Sequence, residues 1–237
     1  MRRQRASSFV LRWLKRLVLG LLGLVLLYQF WLFGWVLWWK WVNPDTTRFM
    51  DIRLVELQAK DPKAQLKKQW VSYGKISLHL KRALIVSEDD LFVHHEGFDW
   101  TGIQKAMEKN KQRGKIVAGG STISQQLAKN LLLSPEKTPL RKAQEAIVTL
   151  MIEAVWDKQR IFEVYLNVIE WGNGVFGAEA AARHYFGIGA AQLSAEQAAR
   201  LAGMVPSPRF YDRNRGAPGL ASKAEVILGR MPSAQVP

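Results

Sequence analysis

Two carboxylates that come directly after an apolar run are the first residues of this chain equipped for chemistry. In the stretch 87–97, which reads SEDDLFVHHEG, Glu88 and Asp89 follow Leu80, Ala83, Leu84 and Val86, whose spacing is helical. A carboxylate at the edge of an apolar helix loses part of its water, and its pKa rises toward the range useful for a proton-accepting base. The same residue types also suit a helix-end acid that simply meets solvent. His94 and His95 fit packing or orienting roles better than ligation, because no second ligand-rich cluster accompanies them.

A second stretch, 119–130, reads GGSTISQQLAKN. Thr122 and Gln125 have the spacing of a capping box. A glycine-rich approach to a capped helix start offers backbone N–H groups and a positive dipole end, which suit phosphate. Gln125 and Lys129 lie one turn apart with Gln126 beside them, forming a polar, cationic stripe. An ordinary amphipathic helix showing its wet face explains these residues equally well. A third stretch carries Arg141, Lys142 and Glu145. As a surface pair, Arg141 and Glu145 contribute about 0.3–0.5 kcal/mol. As part of a site, the two cations would hold an anion and Glu145 would face Glu88, since glycosyl chemistry commonly uses two acids.

Composition narrows the setting. The 237 residues contain no cysteine, which excludes disulfides, thiolate catalysis and Cys-ligated metal. The net charge of +14 begins with Arg2, Arg3, Arg5, Arg12, Lys15 and Arg16, unopposed by any acid in residues 1–16. Leu17 to Trp39 is apolar apart from Gln29 and long enough to cross a hydrocarbon core of about 30 Å as a helix. Trp31, Trp35, Trp38, Trp39 and Trp41 crowd its far end, where indoles favour the membrane interface. The run is longer than a signal-peptide core and ends without a small-residue cleavage site, which favours a retained anchor. The charge asymmetry predicts residues 1–16 as a cytoplasmic tail, 17–41 as a single-pass inner-membrane anchor, and everything after about Asn43 as periplasmic. Residues 42–70 read as a juxtamembrane linker or small-lobe segment, and 71–237 as the catalytic domain.

Along that domain the spacing predicts a short helix from Thr46 or Thr47 to about Lys60 and another leading into Glu88. Ile103, Ala106 and Met107 predict a further turn or two, and the basic, Gly-containing stretch 109–120 reads as a mobile loop, with only Ile116 and Val117 apolar. Helices are expected over 122–133, 139–156, 161–168, 178–185 and 195–204. The helix over 139–156 carries Ala143, Ala146, Ile147, Leu150, Met151 and Ala154 on one side. No alternating strand is apparent, and the last 25 or so residues read as loosely structured.

Together these segments resemble the ordered motifs of the monofunctional biosynthetic peptidoglycan glycosyltransferases, the transglycosylases of glycosyltransferase family 51. The resemblance rests on Glu88-Asp-x-x-Phe92-x-x-His95-x-Gly97, on Gly120 to Asn130, and on Arg141-Lys-x-x-Glu145. It continues through Lys158-x-x-Ile161-x-x-x-Tyr165-Leu-Asn167 and the Gly172-to-Gly187 stretch. No Ser-x-x-Lys transpeptidase pattern accompanies them in a second domain. Ser124, Phe162 and Asp90 are the departures from the usual pattern. The resemblance implies a mainly α, lysozyme-like, two-lobed domain behind an N-terminal transmembrane helix. It implies catalysis by Glu88 and Glu145. It places Asp89, Phe92, His95, Ser121, Thr122, Gln125, Gln126, Lys129, Asn130, Arg141 and Lys142 around the substrate and its diphosphate. Glu145 either orients the cations or positions a divalent Mg2+ or Mn2+ at the diphosphate, and no other cofactor is implied. The implied partners are lipid II, the growing lipid-linked strand and proteins of the wall-synthesis or division machinery. A lytic enzyme of similar fold needs no cationic diphosphate site, and a scaffold needs no such polar set. Nucleic-acid binding would rest on charge alone.

Overall fold

The computed structural model describes residues 2–115 and 119–237, with side chains from residue 12 onward. The chain divides into two units, Met1–Val42 and Asn43–Pro237. The first is one helix, α1 (Arg2–Trp38), whose stretch Arg12–Trp38 is long and apolar enough to cross a membrane. Leu17, Leu19, Leu24 and Phe30 stand exposed around it, the pattern of a helix whose surroundings are apolar on all sides. Trp31, Trp35 and Trp39 run up one face, ring to ring at 6.5 and 5.2 Å. The basic tail expected ahead of the span is part of the same helix, which ends at Trp38.

The second unit begins with α2 (Arg48–Gln58), capped by the Thr47 hydroxyl accepting from Met50 N–H. Of residues 42–70, which the sequence reads as a juxtamembrane linker or small-lobe segment, 43–70 belong to this unit. They also supply β1 (Lys67–Lys68), which pairs in parallel with β3 (Val175–Phe176), itself antiparallel to β2 (Glu170–Gly172). Strands of two and three residues are too short to show alternation, so the sequence gives no sign of this sheet.

The helices follow as α3 (Leu78–Glu88), α4 (Trp100–Arg113), α5 (Ile123–Leu132), α6 (Pro139–Val155) and α7 (Lys158–Val168), then α8 (Ala178–Phe186), α9 (Ala195–Met204), α10 (Pro208–Arg213) and α11 (Pro218–Arg230). α9 packs against α3 and α11, and α5 against α6 and α7. The fully buried side chains include Trp171, Tyr165, Phe92 and Phe162. Phe162 lies 5.6 Å from Phe92 and 6.3 Å from Tyr165, ring to ring, joining α7 to the turn after α3.

Two expectations are corrected, and the orientation of α6 is added. α4 continues through Lys109–Arg113, where a loop was expected, and stops at Gly114 with φ +62°. Lys, Gln and Arg are good helix formers without being apolar, and a basic last turn complements the helix dipole. Within the expected loop, Ile116, Val117 and Ala118 lie outside the described residues. On α6 the apolar stripe does not face the core. Ile147 and Leu150 are 40% and 57% exposed, while Glu145, Val148, Thr149 and Ile152 are buried. The inward face is chosen by α5, not by the longest apolar row. The last residues are ordered as α11, which buries Leu220 and Ile227, with Met231 just beyond.

Candidate active site

Glu88 is the last residue of α3 and part-buried. Its Oε2 accepts a hydrogen bond from Gln126 Nε2 at 2.8 Å, and Gln126 Oε1 accepts one from Tyr165 O–H at 3.1 Å. Burial raises the Glu88 pKa above the ordinary carboxylate value. The Gln126 hydrogen bond and the charges of Lys129 and Lys223 oppose that rise, and Asp89 adds to it. A carboxylate in this condition is a better proton acceptor than an exposed one.

Asp89 turns the other way. Its Oδ1 accepts from His95 Nε2 at 2.9 Å, and its Oδ2 accepts from Ile123 N–H at 2.9 Å, at the first turn of α5. The capping box read from the sequence is present: Thr122 Oγ1 accepts from Gln125 N–H, and Gln125 Oε1 accepts from Thr122 N–H. The Thr122 hydroxyl also donates to Gly97 O at 2.7 Å. Gly97 has φ +88°, and a Cβ there would meet Thr149 Cγ2 at 2.8 Å, so only glycine fits under this start. These contacts overturn one expectation. The helix start read as phosphate-ready has its Thr122, Ile123 and Gln125 N–H groups taken by side chains, and Asp89 already supplies the anion.

The cations gather on the next helix. Buried Glu145 accepts from Arg141 Nη1 at 2.5 Å on Oε2 and from Lys142 Nζ on Oε1. Lys142 Nζ also reaches Ser121 Oγ at 3.3 Å, and Arg141 Nε is buried with no hydrogen-bond partner. Burial lowers the Lys129 pKa; Glu145 opposes this, while Arg141 and Lys142 add to it. Lys129, Arg141, Lys142 and Glu145 therefore form one electrostatic group, and Lys129 links it to Glu88. Among the described residues no cluster of three or more Asp, Glu or His side chains is placed to hold a metal ion. Both Glu145 oxygens are engaged by cations.

Two hollows meet at the Glu88–Gln126 hydrogen bond. A groove of about 550 Å3 takes in Gln126, Lys129, Asn130, Arg53, Arg209 and Arg213. A smaller hollow of about 190 Å3 takes in Glu88, Asp89, Asp99 and Ser121. One side is cationic and the other acidic.

Residues 55–232 match the model of the transglycosylase family. The chain belongs to that family. It is 70% identical over 226 residues to the biosynthetic peptidoglycan transglycosylase of Dechloromonas aromatica (strain RCB), covering 95% of this chain and 98% of the relative. Identity is 59% to the protein of the same description from Laribacter hongkongensis (strain HLHK9), across 96% and 100% of the two chains. It is 58% to that of Nitrosospira multiformis (strain ATCC 25196 / NCIMB 11849 / C 71), across 97% and 100%. The mainly helical architecture fits the lysozyme-like fold that the resemblance implies.

In this transglycosylase the residues implied by the motifs divide into two groups. Glu88, Gln126, Lys129, Ser121 and Lys142 stand at the two hollows or reach across to them. Phe92 and Gln125 line neither hollow, whereas Thr122 lines the smaller one. Phe92 is wholly buried under Lys158, whose Nζ lies 4.7 Å from the ring centroid, Gln125 Oε1 is used in the capping box, and the Thr122 hydroxyl both caps the helix and donates to Gly97 O. Asp89 and His95 brace each other, and Asn130 Nδ2 donates to Gln126 O at 2.7 Å. Asp90 is drawn off to Arg230 at 2.9 Å. Sequence reasoning missed Arg53, Glu170, Arg209 and Arg213 in the groove wall. Arg53 Nε meets Glu170 Oε2 at 3.1 Å, 117 residues away, so no local spacing signals the pair.

Proposed function

We propose that this transglycosylase acts on peptidoglycan precursors, polymerising lipid II into glycan strands with inversion at the anomeric carbon and release of undecaprenyl diphosphate. The observation that carries the reading is Glu88, a part-buried carboxylate of raised pKa whose hydrogen bond to Gln126 links an acidic hollow to a cationic groove. Glu88 takes the proton of the accepting 4-hydroxyl of N-acetylglucosamine as its oxygen attacks the anomeric carbon. Positioned bases of this kind typically contribute about 10²–10⁴-fold. Lys129 and Arg141 stabilise the charge that develops on the departing diphosphate, and Lys142 adds to their field. Glu145 orients the two α6 cations, as its contacts indicate. The names of the relatives support the substrate class.

The same reading places residues 1–16 in the cytoplasm, 17–41 in the inner membrane and the catalytic domain on the periplasmic side. A tethered enzyme meets its two polyprenyl-linked substrates at high local concentration. Other proteins of wall synthesis or division are its expected partners, and nucleic acid is not.

Purified full-length chain in detergent is expected to convert labelled lipid II to polymer, and Glu88→Gln to lose at least about 100-fold in rate while staying folded. Polymer at near wild-type rate from that variant removes Glu88 as the base. A topology reporter fused after Trp41 is expected to be active only outside the cytoplasm, and the opposite result reverses the orientation.

A further inference from the structure

Tyr165 lies on α7, wholly buried beside Phe162, and its hydroxyl donates to Gln126 Oε1 at 3.1 Å. The other end of that amide, Gln126 Nε2, donates to Glu88 Oε2 at 2.8 Å. The two ends of a glutamine amide have nearly the same shape and differ in polarity, so packing alone does not decide which faces a neighbour. A donor fixed on one side does decide it. We propose that Tyr165 is a positioning residue for the transfer reaction: its hydroxyl pins the Gln126 oxygen, so that Nε2 faces Glu88 and aims the carboxylate. The proposal rests on the reading of Glu88 as the base.

The phenol suits this task because it stays neutral. Burial pushes its pKa well above the ordinary value, and the charges of Glu88 and Asp89 push the same way, so Tyr165 remains a donor across any working pH. The other charges facing Glu88 are Lys129 from α5, Lys223 from α11 and Asp89 just after α3. Removing one phenolic oxygen displaces none of them. Without the phenol, Gln126 is free to turn its oxygen toward the carboxylate, and the lone pairs then favour protonated Glu88. The sign is definite: the rate, which needs ionised Glu88, would fall at a higher pH than in the wild type.

The test compares Tyr165→Phe with the wild-type full-length chain in detergent, using labelled lipid II. The expected result is a kcat lower by about 3- to 30-fold, the loss of one buried hydrogen bond converted to rate, with KM within twofold. The acid limb of the pH profile should move upward by about half a unit or more. In a Gln126→Leu background the same substitution should do nothing further, since its effect passes through the amide. An unmoved acid limb, or an equal loss in both backgrounds, overturns the proposal. If phenylalanine fails to fold, 4-fluorophenylalanine at 165 fills the hydroxyl's space without a donor and is read in the same way. The Glu88 titration midpoint, followed by 13C NMR, does not depend on turnover. Wild-type protein that makes no polymer sinks the function reading, whereas an unmoved midpoint in Tyr165→Phe sinks the role of Tyr165 alone.

Discussion

The starts of α5 and α6 look alike in sequence and are built for opposite purposes. Each opens with a threonine N-cap, Thr122 or Thr138, and each carries cations within its first two turns. At α5 the N–H groups of Thr122, Ile123 and Gln125 meet side chains, with Asp89 as the resident anion. That start is a joint. At α6 the first turn presents Arg141 and Lys142, both gathered by Glu145 from one turn further on, and the guanidinium keeps an unpartnered Nε. That start keeps one donor without a hydrogen-bond partner. A capped, glycine-preceded helix is therefore not an anion site when a carboxylate from the end of α3 already occupies its positive end.

This contrast can be broken at either end. Asp89→Ala should have the largest effect, about 3 kcal/mol lost in denaturant unfolding, because it leaves Ile123 N–H and His95 without their partner. A loss below about 1 kcal/mol would mean that the joint holds without its anion. Next comes Arg141→Met, expected to lower polymer formation by about 100-fold with little change in melting temperature. A large thermal shift with unchanged turnover would reverse the roles assigned to the two helix starts.

Thr122→Ala should cost about 1 kcal/mol of stability, with activity following the folded fraction rather than dropping on its own. A variant that is fully folded but inactive would return Thr122 to the substrate-binding group. The smallest effect concerns Glu88, which meets α5 through Gln126. Its folded pKa is raised, so its ionised form weakens the fold above the ordinary carboxylate pKa. Glu88→Gln should melt at or slightly above the wild-type temperature at pH 7, and the difference should vanish as the pH falls below that ordinary value. A clearly lower melting temperature at pH 7 would mean that the charge is stabilising where it sits.

Much of the site was legible because its signals are local. The capping box spans Thr122 and Gln125, three residues apart, and the Arg141–Glu145 pair spans one turn. Such features depend on helix geometry alone. α4 was underestimated because its last turns are polar, and the longest apolar row of α6 does not reveal its inward face because that row is exposed. In α11 the buried positions Leu220 and Ile227 are too sparse to stand out.

Residue order alone decides which helices form here, where most of them begin, and which acids and cations occupy the motifs. Backbone sterics and capping act within about four residues. It does not decide what those side chains touch. Ile123 N–H meets Asp89 across 34 positions, Gln126 meets Glu88 across 38 and Tyr165 meets Gln126 across 39. Only packing of α3, α5 and α7 around a shared core brings such groups within 3 Å or so of each other. That packing also removes the water that would otherwise keep Glu88 an ordinary acid, since desolvation belongs to the assembled interior and to no single segment.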